Sequence, residues 1–136
     1  MSSPVQALQA AVFAALSADA ELMGLLGGPH VYDGAPRNAG APYVHLGEIN
    51  QRDWSTATEA GVEISFALVA WSRQPGRSEA LAIADRVRAV LHDAALPLEG
   101  FRLVNSRHLG TETARDAKPE GRRAVARFRA RMEAIA

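Results

Sequence analysis

Residues 61–72, GVEISFALVAWS, alternate strictly. Val62, Ile64, Phe66, Leu68 and Ala70 fall on one side. Glu63, Ser65, Ala67, Val69 and Trp71 fall on the other, which turns apolar toward its end. A period of two marks a half-buried β-strand, and such a strand needs a layer packed on its apolar face. The next segment supplies one. Residues 78–94, SEALAIADRVRAVLHDA, have helical periodicity. Leu81, Ile83, Ala84, Val87, Val90 and Leu91 form a broad apolar face, while Glu79, Asp85, Arg86, Arg88 and Asp93 look outward. Ser78 stands where a helix cap is wanted, and Trp71 is expected to pack against this helix or the adjoining turn.

The remaining segments sort in the same way. Residues 3–17 read as a helix: Ser3 is a good N-cap, Pro4 suits the first helical position, and Gln6 completes a capping box. Val5, Leu8, Val12 and Leu16 share a stripe, with Ala11 and Ala15 beside it. A short second helical piece follows and stops at Gly27-Gly28-Pro29. Residues 30–42 are turn formers, with a few extended residues at His30–Tyr32. Residues 43–50 form a strand with Val44, Leu46 and Glu48 on one side and Tyr43, His45 and Ile49 on the other. Residues 101–110 and 122–135 are further strands, with a polar loop at 111–121 between them. The order is α-β-β-α-β-β. The expected fold class is α+β, an antiparallel or mixed sheet with helices packed on one face.

The 136 residues make a single domain, 1–136, without repeat, low-complexity segment or splitting linker. A chain of this size buries roughly two-thirds of its surface, enough for a core without staples. Its lack of cysteine removes disulfides, thiolate catalysis and Cys-based zinc sites, and fits a reducing compartment. The N-terminal apolar stretch has no basic flank and no run of about 18 apolar residues, so neither a signal peptide nor a membrane span is expected. Net charge is zero, but it is unevenly placed. Residues 1–64 hold two basic and seven acidic residues, a net −5; residues 65–136 hold 13 basic and 8 acidic, a net +5. The two halves can meet head-to-tail between subunits, or simply mix on one folded surface.

No catalytic set emerges. His45 and Glu48 are three apart in a strand and lie on opposite faces. His92 and Asp93 end a helix. His30 and His108 stand apart, and no H-x-x-x-H or H-E-x-x-H is present. No metal site is expected. Gly27-Gly28 is followed by no Lys-Ser/Thr, so there is no phosphate loop, and no cofactor is implied. Ser55, Ser65, Ser72 and Ser106 lack the nucleophile-elbow context. The last strand places Arg123, Arg127, Arg129 and Arg131 on one side. That stripe suits a subunit interface, a DNA-channel wall or a solvated face paired with acids. Specific nucleic-acid recognition usually interleaves aromatics with basic residues, and here the nearest, Phe128, is on the other side.

The connection of the first hairpin, EINQRDWSTATEAG at 48–61, holds a tryptophan among charged and hydroxyl residues. A loop Trp serves as an interface anchor or folds back onto its own sheet. The first reading makes Trp54 the anchor of a docking arm, Arg52 and Asp53 its rim charges, and Ser55 and Thr56 adaptable hydrogen-bonders. Residues 50–60 and 111–121 are then expected to be mobile until docked.

These segments resemble a family of small tail-completion proteins of long-tailed phages, prophages and gene transfer agents. The resemblance rests on Gly47-Glu48, Asp53-Trp54-Ser55, Val69-Ala70-Trp71-Ser72, Gly76 through Ala80, Val87 through Leu91-His92, and the alternating Arg127, Arg129 and Arg131. It spans roughly residues 30 to 133. It implies a tail terminator with the α+β fold of lambda-type terminators, assembled as a hexameric ring. The implied ring caps the tail tube and joins it to a head–tail connector or stopper at the neck. DNA passes through the lumen without sequence recognition, and no chemistry is performed. It further implies assembly in the host cytoplasm, without a membrane. Two other readings stay open: a different connector protein, such as a stopper or adaptor, or a small DNA-binding protein using the Arg-rich strand.

Overall fold

The computed structural model describes residues 3–36, 38–115 and 122–135. The element order is α1 (Pro4–Ser17), α2 (Ala20–Leu26), β1 (Val31–Tyr32), β2 (Tyr43–Asp53), β3 (Gly61–Ser72), α3 (Ser78–Leu91), β4 (Phe101–Arg115) and β5 (Arg122–Ala134). The expected α+β class holds; the expected short second helical piece is α2, and the extended residues expected at His30–Tyr32 form the two-residue strand β1. The five strands form one sheet in the order β1-β2-β3-β5-β4. β1 runs parallel to β2, and all other pairs are antiparallel. The closing strand therefore lies inside the sheet, and β4 becomes its edge.

α1 begins with the expected capping box: the Gln6 amide donates to Ser3 Oγ, and the Ser3 amide to Gln6 Oε1. Asp19 caps α2, accepting from the Leu22 amide at 2.9 Å. Gly27, at φ 75°, ends that helix in the left-handed conformation that glycine adopts without a Cβ penalty. α3 departs from expectation at its start. Ser78 is inside the helix and Arg77 stands at the cap without a side-chain bond. Glu79 instead reaches back to accept from Ser72 Oγ at 2.6 Å, and Ser72 Oγ accepts from the Gln74 amide. The turn after β3 is thereby fastened to the helix that follows.

The core lies between the helices and one face of the sheet. Ile64, Phe66, Leu68 and Ala70 of β3 and Ala124, Ala126, Phe128, Ala130 and Met132 of β5 are buried there against Leu8, Val12, Leu16, Ile83, Val87 and Leu91. The small alanines of β5 let the helices approach the sheet closely, and Phe66 and Phe128 stack at 5.3 Å. Leu81, expected on the buried side of α3, is exposed. It follows Ala80 by about 100° around the helix and so leaves the buried stripe of Ala80, Ile83, Ala84 and Val87.

β2 differs from simple alternation. The register shifts between Leu46 and Ile49, so Gly47 and Glu48 share the space of one partner residue. The bulge moves Ile49 from the side expected of it to a position opposite Phe66, packed against the core. Part of the polar loop expected at 111–121 is instead strand, because Thr111–Ala114 pair with Ala126–Arg123. The remainder, 116–121, lies outside the described residues.

Candidate functional site

Among the described residues no helix covers the second face of the sheet. It carries Tyr43, His45, Asn50 and Arg52 from β2 and Glu63, Ser65, Ala67, Val69 and Trp71 from β3. β5 adds Arg123, Val125, Arg127, Arg129, Arg131 and Glu133. Ala67 and Val69 are nevertheless buried. The Gly47 backbone of the neighbouring strand lies close over both, since a Cβ there would stand 3.1 Å from Val69 Cγ2 and 3.6 Å from Ala67 Cβ.

The two groups of residues singled out in the sequence meet at one end of this face. The Arg131 guanidinium lies over the Trp54 ring, 5.2 Å from its centroid. Arg131 Nε also donates to Glu63 Oε2 at 2.8 Å, and Glu63 lies 3.8 Å from Arg52 Nε. Arg131 holds the Glu63 carboxyl below its ordinary pKa, chiefly by hydrogen bonding. Trp54 is half-buried, because Gly61 lets it approach. A Cβ at Gly61 would stand 2.9 Å from the Trp54 carbonyl oxygen and 3.2 Å from its ring. The rest of the segment is stitched locally. Ser55 Oγ donates to Asp53 at 2.6 Å and accepts from the Gly61 amide at 3.2 Å, and Thr56 Oγ1 accepts from the Glu59 amide at 3.1 Å. Ala134 N–H reaches the Ala60 carbonyl. Residues 54–60 thus form a fastened turn level with the end of β5.

A second tryptophan–arginine stack sits at the other end. Trp71 does not pack on α3. It lies on the uncovered face, stacked near Tyr43 at 6.4 Å and His45 at 6.4 Å, with Arg123 over it at 5.6 Å. The alternation of β3 already placed it there, since Trp71 shares a side with Glu63 and Ser65. Arg123 and Arg131 are eight residues apart, so the two stacks are separated by roughly 27 Å. Between them Arg127 is held by Glu112 at 2.8 Å and approached by Glu48 at 3.8 Å. Arg129 faces Ser65 on one side and Arg107 on the other. Among the described residues its buried Nε has no hydrogen-bond partner, nor do Trp71 Nε1 and Asn105 Oδ1 on the same face. Among the described residues no three His, Asp or Glu side chains gather to hold a metal.

The arrangement has the make-up of an assembly surface: two aromatic anchors under arginines, with ion pairs between them. The model of the tail completion protein gp17 family matches residues 10–133.

The chain belongs to the tail completion protein gp17 family.

Among solved structures, a chain of the "virion of native gene transfer agent (GTA) particle" superposes with a TM-score of 0.88 at 37% identity. The match covers 98% of this chain and 99% of that one. No curated protein matches the sequence. Family membership makes the chain a structural component of a phage-like tail, consistent with a surface built of anchors and ion pairs.

Proposed function

We propose that the chain is a tail terminator: a ring of identical subunits that caps the finished tail tube, joins it to the neck, and lets DNA pass through its centre without reading it. The observation that carries this reading is the near full-length similarity to a gene transfer agent virion chain. The role is structural, and no step of chemistry belongs to it. In this reading Arg52, Asp53, Trp54, Ser55 and Thr56 form a pre-set docking turn toward a neighbouring subunit or the tube. Arg123, Arg127, Arg129 and Arg131 present the uncovered face to protein or line the channel. The place of action is the tail–neck region of the particle.

A stopper or adaptor role in the same apparatus is the alternative within the class. Sequence-independent DNA binding by the isolated chain fits less well. Arg127 and Arg131 are engaged by carboxylates, so half of the stripe's charge is already balanced, and Arg123 is committed to stacking on an indole. Phosphate-tracking surfaces keep their cations free and lose affinity steeply with salt. Electron microscopy of the tail-bearing particle tests the proposal. Six copies in one ring between tube and neck support it, and absence of the chain from the particle overturns it.

A further inference from the structure

The open face and the 52–56 turn leave two features unexplained, at opposite margins of the sheet. β4 is the outer strand on one margin. The turn after α3 closes the middle of its free edge. The Asp93 amide donates to the Ser106 carbonyl at 2.8 Å, and the His108 amide to His92 Nδ1 at 3.0 Å. Asp93 reaches that carbonyl by adopting φ 55°, a conformation that Asp tolerates better than most residues. On either side of this clasp the β4–β5 register slips, between Leu103 and Asn105 and between His108 and Gly110. The residues left over are both apolar and both exposed: Val104 at 41% and Leu109 at 58%. Bulges on an edge strand block simple strand-to-strand extension. A partner at this margin is therefore met by side chains, with Leu109 foremost.

The opposite margin offers a receptor. α1, β1 and β2 enclose a groove of about 580 Å³ lined by Val12, Phe13, Leu16, Leu46 and Leu68. Phe13 is 44% exposed there and adds its ring to the groove's apolar lining. Asp33 also lines the groove and is exposed, with no ion pair among the described residues. Beside Leu109 stands Arg107, 53% exposed and only loosely drawn to Asp93 at 3.7 Å. The charges are complementary, and the margins belong to the acidic and basic halves of the chain.

We propose that the Leu109 bulge of one copy seats in the α1–β2 groove of the next copy, with Arg107 meeting Asp33. Two different patches on opposite margins make a heterologous contact, the kind that closes into a ring or runs on as a filament. The patches lie on opposite margins, five strands and roughly 20 Å apart, so each copy can dock one neighbour on either side. The proposal rests on the ring reading above and supplies its subunit contact. It leaves the 52–56 turn, at the strand ends, free for the tube or neck.

The absence of cysteine makes a clean test possible. Full-length chains carrying Leu109→Cys and Phe13→Cys are mixed, concentrated and treated with a short bis-maleimide. Docking raises the local concentration of the paired thiols, so cross-linking should exceed that of Leu109→Cys with Leu81→Cys by on the order of tenfold. Thermal melts of each variant confirm that it folds. Arg107→Asp and Asp33→Arg should each weaken association, and the double swap should restore it. Oligomers that cross-link Leu109→Cys to itself, or equally well to Leu81→Cys, overturn the contact while leaving the tail role intact. A chain that is found in the particle but never cross-links at Phe13 has the same meaning. A chain absent from particles and monomeric at all concentrations overturns both.

Discussion

Trp54 shows how much one glycine can decide. Its ring is held between the Gly61 backbone and the Arg131 guanidinium, and both contacts need the empty space at Gly61. Gly61→Ala should cost about 1–3 kcal/mol through the 2.9 Å clash and red-shift the Trp54 emission, read by fluorescence in a Trp71→Phe background. Unchanged emission would mean that the ring does not need this seat. Trp54→Ala has a different expected profile. It removes a cation–π contact worth about 0.5–1 kcal/mol at a partly exposed site, so the isolated chain should fold with a slightly lower melting temperature. Capping of tails should be lost all the same. A variant that still caps tails normally would remove Trp54 from the docking surface.

At the scale of elements, α2 is too short to stand alone and is held by its cap. Asp19 accepts two bonds from Arg86 of α3, at 2.7 and 2.8 Å, besides the Leu22 amide. The Arg86 hydrogen bonds hold the Asp19 carboxyl below its ordinary pKa. Asp19→Ala should lower stability by about 1–2 kcal/mol, measured by urea denaturation, as expected for a lost cap. Asp19→Asn keeps the cap oxygen and loses the charge, so it should cost less. The capping box of α1 and the αL glycine of α2 could be read from the residues alone, because caps act within one turn. The start of α3 could not. Ser78 carries the composition of a cap, but the turn between β3 and α3 gives Glu79 a better use with Ser72, two elements' ends away from any local rule.

The pH response belongs to the whole molecule, since its groups sit on different layers. Asp19 and Glu63 have lowered carboxyl pKa values, both chiefly by arginine hydrogen bonds. Their stabilisation is complete above the unfolded values and is lost as pH falls through the lower folded ones. His108 is also lowered, mainly by burial and then by Arg88 and His92. For a base kept neutral by the fold the sign is the same: stability is full above roughly pH 6.5 and declines as acid protonates the unfolded state first. Glu59, raised by its hydrogen bond with Glu133, acts in the opposite direction on the exposed turn. Melting temperature should therefore begin to fall just below pH 6.5, and His108→Gln should remove that first step while leaving the carboxylate limb. A flat profile between pH 7 and 5 would contradict this.

The sequence by itself determined most of the elements and the side most residues take within them, with Leu81 and the bulged Ile49 as exceptions. Period two in 61–72, helical spacing in 4–17 and 78–91, and the arginine alternation of 122–134 are all properties of near neighbours, and backbone geometry converts them directly into faces. It also carried enough separated motifs to point to the family. The tertiary structure alone decided the bulges and the neighbours. Whether Gly47-Glu48, Val104 and Leu109 slip out of register depends on the partner strand, and those slips moved Ile49 into the core and left Leu109 on the edge. Strand order placed β5 between β3 and β4, which brought Arg131 over Trp54 and Arg123 over Trp71 from 77 and 52 positions away along the chain. Contacts at such separations are chosen by the packing of the whole sheet, and no local pattern encodes them.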